Sequence, residues 1–147
     1  EDYNFLIIDS NTQRILSSSE FNQKKELCLS ASKKMNLNNL CEKEIISKED
    51  IEILSDEEFK VCKHVVEENV RVKKAVQFLK DDNPNEFGKL MTESHLSLSK
   101  YYGVSTDELN KLVSLSNSFG ALGSKLTGAG FGGAVVTLVK NDKVEDK

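Results

Sequence analysis

Glycines crowd one stretch near the end of the sequence, where they could form a site for a phosphate. Five of the chain's eight glycines fall within residues 123–133, and an apolar run over residues 134–139 follows them. A glycine-rich backbone can adopt positive φ angles and lets other groups approach it closely. Successive exposed N–H groups in such a loop can form a concave nest that binds an anion. The stretch therefore indicates either a phosphate-binding loop or a tight turn without a ligand.

The surroundings of the loop exclude three common phosphate-binding motifs. The spacing of Gly128, Gly130 and Gly133 satisfies the bare dinucleotide fingerprint, but that motif follows a strand and opens a helix. We expect the opposite order here, with a helix before the loop and a strand after it. A Walker A loop would end in Gly-Lys-Ser/Thr, and Lys125 lies on the wrong side of the glycines. The glycine loop of protein kinases leads into a strand, but lysine and aspartate motifs should follow it, and this sequence ends first.

The composition is typical of one soluble, globular domain. The chain has 147 residues and a net charge of −4, which gives no electrostatic reason to expect a nucleic-acid partner. No apolar run approaches the roughly 20 residues of a membrane span, and no secretory signal is recognisable. Cys28, Cys41 and Cys62 lack the spacing of a metal site, so we expect buried, reduced thiols in a cytoplasmic protein. We therefore expect no metal site in these residues and no membrane or nucleic-acid partner.

Hydrophobic periodicity predicts helices in the middle of the chain and strands at its two ends. Residues 5–8 and 134–139 are apolar runs typical of buried strands, and residues 14–17 predict a hairpin partner for the first run. Apolar residues at helical spacing predict helices over residues 21–35, 55–80, 84–101 and 105–120. Helix starts are marked by Ser55 with Glu58, Asn83 and Pro84 with Glu86, and Ser105 with Glu108. The simplest arrangement is an α+β fold, a small antiparallel sheet with helices packed on it.

Several polar residues lie within these elements, and we expect structural roles for them. The acidic segment over residues 42–58 is typical of a solvated face with short helices. His64 and His95 have no neighbouring side chains at metal-ligand spacing, so we expect packed or capping histidines. Glu68 and Arg71 are expected to form an ion pair on the long helix.

Five stretches of the sequence resemble one enzyme family. Residues 123–133, G-S-K-L-T-G-A-G-F-G-G, resemble the third, C-terminal motif of the GHMP small-molecule kinases. The galactokinases within that group have similar segments at four other places, residues 18–22, 64–72, 87–98 and 102–109. The similarity follows the family order over residues 5–139. The sequence is therefore identified as a member of the GHMP kinases, most similar to the galactokinases.

The resemblance implies both a fold and an activity. It implies that residues 1–147 form a ferredoxin-like GHMP kinase C-terminal domain. In the family, ATP with Mg²⁺ phosphorylates the anomeric hydroxyl of galactose to give galactose 1-phosphate. The sugar motif, the loop that wraps the ATP phosphates and the catalytic base lie N-terminal to the matched segments there. The resemblance thus implies no catalytic residue in this chain, no activity for the chain alone, and a longer, monomeric protein that binds sugar and ATP. Because a cut at a domain cleft exposes apolar surface, we expect weak self-association of the isolated chain.

The third motif lines the ATP and phosphate cleft in the family. This role carries over to Gly128, Ala129, Gly130, Phe131, Gly132 and Gly133. We expect Gly130→Val to reduce the turnover of the complete enzyme more than it perturbs the fold.

Two departures from the family pattern leave the sugar open. Phe21 occupies a substrate-pocket position where galactokinases have Tyr, and it lacks the hydroxyl that would contact the sugar. Lys24 and Lys25 replace an Arg pair, which keeps the charge but loses the planar fork. The N-acetylgalactosamine kinases resemble this segment too, and a non-catalytic sugar sensor of galactokinase type would also keep the third motif. Another GHMP enzyme, such as mevalonate kinase, fits residues 64–72 and 87–98 less well.

Overall fold

The structure, a computed structural model, describes residues 2–13 and 18–141. Its elements in chain order are β1 (Tyr3–Asp9), α1 (Ser18–Lys34), a short 3-10 turn (Leu40–Glu42), α2 (Lys48–Ile53), α3 (Asp56–Lys80), α4 (Pro84–Ser97), a π turn (Leu98–Tyr102), α5 (Asp107–Ser118), β2 (Gly123–Thr127) and β3 (Ala134–Lys140). The strand predicted over residues 14–17 lies outside the described residues. None of the helices in the described part of the chain is long and apolar enough to cross a bilayer.

The three strands form an antiparallel sheet in the order β1-β3-β2. Val135 in the central strand pairs with Ile8 of β1 and with Leu126 of β2. The buried cluster beneath α5 contains Val104, Leu109, Val113, Leu126 and Val135. The predicted α+β fold, a small antiparallel sheet with helices packed on it, is confirmed.

Helix α4 lies against the outer edge of β2, where a further strand could otherwise pair. An ideal Cβ on Gly123 would lie 1.7 Å from the carbonyl oxygen of Gly88, and one on Gly88 would lie 2.4 Å from that of Leu122. The helix and the strand can therefore approach this closely only because both positions are glycine.

Two side chains of α4 satisfy N–H groups on the same edge. The Ser124 N–H donates to Thr92 Oγ1 at 3.3 Å, and the Leu126 N–H donates to His95 Nδ1 at 3.1 Å. An uncovered strand edge is a template for pairing with another chain. Here α4 covers the edge and fixes the strand that leads into the glycine stretch.

The helical side of the molecule has a second core around α1 and α3. Its buried residues are Ala31, Leu40, Cys62 and Val66. At the start of α3, the Glu58 carboxylate accepts hydrogen bonds from Ser30 Oγ at 2.6 Å, Lys34 Nζ at 2.7 Å and the Ser55 N–H at 2.8 Å. Burial alone would raise the pKa of Glu58, but these hydrogen bonds lower it to about 2.

Asp50 repeats this arrangement in α2. It is buried, forms an ion pair with Lys43 and accepts the Ser47 N–H at 2.9 Å. The prediction of a solvated acidic face is therefore wrong for Asp50 and Glu58. Each of them caps a helix, and the N–H groups and lysines around it compensate the charge.

Two of the predicted helix starts are confirmed and one is wrong. Ser55 and Glu58 form a capping box at α3, and Asn83 caps α4 with Pro84 in its first turn. Helix α5, however, is capped by Thr106, because the Ser105 hydroxyl donates to Asn110 Oδ1 instead.

The prediction that a helix leads directly into the glycine stretch is also wrong. Gly123–Thr127 is strand β2, because its backbone pairs with β3 on one side and α4 covers the other. The six residues 128–133 therefore form the tip of a β-hairpin. The dinucleotide motif stays excluded, since β3 rather than a helix follows.

Candidate functional site

The hairpin tip needs a backbone conformation that most residues avoid. Five of its residues have positive φ angles, namely Gly128 (77°), Gly130 (81°), Phe131 (56°), Gly132 (117°) and Gly133 (87°). The left-handed region costs a residue with a Cβ about 1–2 kcal/mol. Phe131 carries that cost and packs against the core cluster beneath α5. The tip is thus held in shape by glycines and by its contacts with the rest of the domain.

Hydrogen bonds anchor the tip from two sides. The Phe131 N–H donates to the Val104 carbonyl at 2.7 Å, in the turn before α5. The Gly133 N–H donates to the Thr12 carbonyl at 3.2 Å, and the Ser10 N–H donates back to the Gly133 carbonyl at 2.8 Å. The tip is therefore fixed between the turn before α5 and the segment after β1.

The anchors leave little space at two of the glycines. An ideal Cβ on Gly130 would lie 2.1 Å from the Val104 carbonyl oxygen. One on Gly132 would lie 3.0 Å from the carbonyl oxygens of Thr12 and Gln13. Gly130→Val would therefore disturb the fold of the hairpin itself, which goes beyond the effect on turnover that the sequence predicts.

These bonds also limit how the tip could meet a phosphate. The N–H groups of Phe131 and Gly133 donate to protein carbonyls and do not offer themselves to an anion. At these two positions the geometry does not fit a phosphate nest. The two N–H groups instead fix the tip to the rest of the domain.

A neutral network stands behind the hairpin. The His95 side chain is 2% exposed, and its Nε2 bonds Asn110 Oδ1 at 2.9 Å while its Nδ1 accepts the Leu126 N–H. The Ser105 hydroxyl donates to the same Asn110 oxygen at 2.7 Å. Burial lowers the pKa of His95, and because Nδ1 accepts the Leu126 N–H, the neutral ring carries its proton on Nε2.

A cluster of charged side chains joins β2 to α3 and α4. Lys125 Nζ donates to Ser94 Oγ at 2.7 Å, and Ser94 Oγ donates to Glu68 Oε1 at 2.6 Å. Arg71 Nε donates to the other oxygen of Glu68 at 2.7 Å, which confirms the predicted ion pair. Burial alone would raise the pKa of Glu68, but hydrogen bonds from Ser94 and Arg71 and the charge of Lys125 lower it. Lys125 of the glycine motif is thus tied to α3 and α4.

The two histidines occupy packed positions, as predicted. His64 Nδ1 is hydrogen-bonded to Ser97 Oγ at 2.9 Å, and its ring lies 5.0 Å from that of Tyr102. Burial lowers the pKa of His64 to about 4. Of the two, His95 bonds β2, the strand that leads into the hairpin tip.

The described residues do not fit a Mg²⁺ site. Within residues 2–13 and 18–141, no group of three or more His, Cys, Asp or Glu side chains could hold a metal ion. The thiols of Cys28, Cys41 and Cys62 are free, and Cys41 is exposed, so the expectation of buried thiols is wrong for it. Burial raises the pKa of the Cys62 thiol to about 12.

Phe21 is not hydrogen-bonded to the hairpin tip among the described residues. Its ring is 57% exposed in the first turns of α1, and no hydrogen bond among the described residues joins it to the tip. The Lys24 side chain of α1 reaches the turn before α5, where its Nζ lies 3.4 Å from the position of an ideal Cβ on Gly103. Lys24 of α1 and Phe131 of the tip therefore both contact the turn before α5, whereas Phe21 forms no hydrogen bond with the tip among the described residues.

Sequence reasoning missed the partners that fix the hairpin. The carbonyls of Val104 and Thr12 are main-chain acceptors, which residue type does not reveal. The role of His95 was also missed, because its bond to Leu126 depends on α4 lying at the strand edge. The available signal was indirect, namely the matched segments that contain Val104 and His95.

Comparison with known proteins places these features in a family. Residues 75–147 match the family described as GHMP kinases C terminal. The chain is 40% identical to the galactokinase of Clostridium acetobutylicum over 151 residues, covering 98% of this chain and 39% of that protein. It is also 40% identical to the galactokinase of Fusobacterium nucleatum, covering 95% of this chain and 38% of that protein. The chain thus spans about two-fifths of the length of these relatives.

Solved structures agree with this similarity. Lactococcus lactis galactokinase, determined in complex with galactose, matches with a TM-score of 0.87 at 33% identity and covers 98% of this chain and 39% of its own. L. major mevalonate kinase has a TM-score of 0.63 at 19% identity, covering 98% of this chain and 36% of its own, and shows the shared fold alone. A GHMP C-terminal match, galactokinase similarity along nearly all of the chain and the same arrangement of helices on a small antiparallel sheet agree with one another. The chain carries a GHMP kinase C-terminal domain over residues 75–147, and along nearly all of its length it is a relative of the galactokinases.

Proposed function

We propose that the chain is the C-terminal part of an ATP- and Mg²⁺-dependent sugar kinase that phosphorylates the anomeric hydroxyl of galactose. The observation that carries the proposal is the anchored hairpin tip, because its glycines are the residues that match the third motif of the family. Its left-handed glycines and the bond from Phe131 to Val104 support a role as one wall of a cleft.

The wall would act by positioning. Phosphoryl transfer depends on alignment and charge stabilisation rather than on covalent chemistry by the protein. Residues 128–133 would support the phosphate-binding loop of the other domain, whereas Mg²⁺ and most ATP contacts would come from outside the described residues. The whole protein would be cytoplasmic and monomeric.

A chimeric enzyme tests the proposal. The segment of Clostridium acetobutylicum galactokinase that matches this chain is replaced by residues 1–147, and ATP-dependent phosphorylation of galactose is measured. We expect an active chimera and no activity from the 147-residue chain alone. A folded chimera that binds galactose and ATP without turnover would overturn the proposal that residues 1–147 can complete the active site of a sugar kinase.

Phe21 favours a second candidate, an N-acetylgalactosamine kinase. Its exposed ring has no hydroxyl to offer the sugar, and the kinases of N-acetylgalactosamine resemble this segment. The same chimera assayed on both sugars separates the candidates. A higher kcat/KM on N-acetylgalactosamine, reversed by Phe21→Tyr, would assign that sugar instead of galactose.

Self-association of the isolated chain belongs to the same proposal. The edge strand β1 exposes Phe5 and Ile7, which a domain interface or a second copy could cover. Sedimentation of the 147-residue chain at rising concentration should show weak dimers. A strictly monomeric chain would contradict this part of the proposal.

A further inference from the structure

We propose that His95 is a positioning residue that links the strand entering the hairpin tip to one of the tip's two anchors, the turn before α5. One nitrogen of its ring bonds the strand that enters the tip, and the other leads to the turn that anchors Phe131. The inference rests on the proposed function only where it concerns turnover, and its structural part stands without it.

The first link runs through Nδ1. This nitrogen accepts the Leu126 N–H at 3.1 Å, two residues before the first glycine of the tip. Because a neutral imidazole has one donor and one acceptor nitrogen, Nε2 must carry the proton. The ring is almost fully buried, so each nitrogen needs its partner.

The second link runs through Nε2. It donates to Asn110 Oδ1 at 2.9 Å, and Ser105 Oγ donates to the same oxygen at 2.7 Å. Ser105 directly follows Val104, whose carbonyl accepts the Phe131 N–H. Asn110 therefore connects the ring to the turn that holds the middle of the tip.

The two links reach two different elements. Leu126 belongs to β2, whereas Val104 belongs to the turn before α5, and His95 is linked to the first directly and to the second through Asn110 and Ser105. A displacement of the ring would thus shift the strand and the turn together. The tip would then lose its alignment with whatever packs against it.

Two substitutions separate the links. His95→Asn keeps an acceptor where Nδ1 stands and removes the Nε2 donor, whereas His95→Gln keeps a donor near Nε2 and removes the Nδ1 acceptor. Amide hydrogen exchange of the 147-residue chain is measured at Leu126 and Phe131, with Val66 in the helical core as the reference for global unfolding. We expect His95→Gln to speed exchange at Leu126 about tenfold or more relative to Val66 and to leave Phe131 close to wild type. His95→Asn should speed exchange at Phe131 and leave Leu126 close to wild type.

Asn110→Ala and His64→Gln complete the set. Asn110→Ala removes the link to the turn, so exchange at Phe131 should rise while Leu126 changes little. His64→Gln alters the other buried histidine, which bonds Ser97 and not the hairpin, and should leave both amides unchanged relative to Val66. If Phe131 exchange stays constant in His95→Asn and Asn110→Ala, His95 only caps a strand edge and the proposal is wrong.

The wild-type chain gives an independent check that needs no variant. Nitrogen-15 shifts of the His95 ring should show an unprotonated Nδ1 and a protonated Nε2 at neutral pH. The opposite tautomer would overturn the proposal, because Nδ1 could then not accept the Leu126 N–H.

Kinetics of the galactokinase chimera test the consequence for turnover. We expect His95→Gln to lower kcat about tenfold while the KM for galactose stays within about twofold. An inactive chimera combined with the expected exchange pattern would refute the proposed function and leave the positioning role intact. An active chimera whose kcat is unchanged by His95→Gln would refute the role of His95 in turnover.

Discussion

Two regions of the molecule bury different kinds of polar group. The helical side, where α1 and α3 pack around Cys62, buries the carboxylates Asp50 and Glu58. The sheet side, where β2 and β3 lie beneath α5, buries neutral side chains such as Thr137. The carboxylates stand at helix starts, where N–H groups and lysines compensate them. The neutral groups stand along β2 and β3, where they accept backbone N–H groups or bond one another.

The difference follows from what each place must satisfy. A helix start presents several unpaired N–H groups and a positive dipole, so a carboxylate is stabilised there. A strand edge presents isolated N–H groups among apolar residues, and an uncompensated charge would be costly to bury there. The sheet side therefore fixes the hairpin with neutral acceptors and with close backbone packing.

The largest expected effect comes from the backbone packing of the sheet side. Gly123→Ala would place a Cβ 1.7 Å from the Gly88 carbonyl oxygen, so α4 and β2 must separate. We expect the free energy of unfolding to fall by about 3 kcal/mol, measured by urea denaturation.

Gly103→Ala is the matched control for this change. Gly103 has a φ of 72°, but its nearest neighbour to an ideal Cβ is the flexible Lys24 side chain at 3.4 Å. Its cost should be the conformational one alone, about 1–2 kcal/mol. Equal losses for the two variants would mean that the close contact between α4 and β2 does not limit stability.

The next effect concerns the charged anchor of the helical side. Glu58→Ala removes the partner of Ser30, Lys34 and the Ser55 N–H at once. We expect a loss of about 2 kcal/mol, since a helix cap and buried hydrogen bonds disappear together. Thermal or urea unfolding of Glu57→Ala, which removes an exposed neighbouring charge, should show a much smaller loss. Similar values for both would mean that Glu58 acts only through the helix dipole.

The pH dependence separates two buried groups of α3. The pKa of His64 is lowered to about 4 in the folded state from its ordinary 6.5. The stability it contributes is therefore complete above pH 6.5 and is lost as the pH falls towards 4. The pKa of Glu58 is lowered to about 2 from 4.5, so its contribution is lost in a later window, between pH 4.5 and 2.

Between pH 7 and pH 5 we expect His64 to account for a loss of about 2 kcal/mol. Urea unfolding at half-unit pH steps measures it, and His64→Gln should remove this part of the pH dependence while the contribution of His95, whose pKa burial also lowers, remains. The later window should persist in His64→Gln and weaken in Glu58→Gln. A wild-type curve that is flat down to pH 5 would contradict the buried, neutral state of the ring.

Local signals in the sequence sufficed for the helical side. Ser55 with Glu58 and Asn83 with Pro84 act within four residues of one another, so their patterns predict the helix starts correctly. Where two adjacent residues could both cap, as at Ser105 and Thr106, the pattern alone selected the wrong one. Thr106 caps the helix, and the Ser105 hydroxyl donates instead to Asn110 in the first turns of α5.

The sheet side depends on contacts that the local sequence does not encode. Gly123–Thr127 has a glycine, a lysine and small polar residues, and it becomes a strand only through β3 and α4. The glycine motif itself was recognisable, but its anchors at Val104 and Thr12 are main-chain carbonyls. The candidate site was therefore located from the sequence, whereas its support was not.

The smallest effect tests whether the neutral pairs of the sheet side contribute by bonding or by being matched. Ser124 Oγ and Thr137 Oγ1 lie 2.7 Å apart, and both residues are buried between β2, β3 and α5. Thr137→Val keeps the shape and leaves the Ser124 hydroxyl without this partner, so we expect a loss of about 1 kcal/mol. Ser124→Ala combined with Thr137→Val removes both hydroxyls, and the double variant should lose less than the sum of the two single variants by at least about 0.5 kcal/mol. Urea denaturation of the four proteins gives this coupling directly. Strict additivity would show that the pair contributes no coupling, and the contrast with the charged anchors of α2 and α3 would then rest on His95 and the glycine contacts alone.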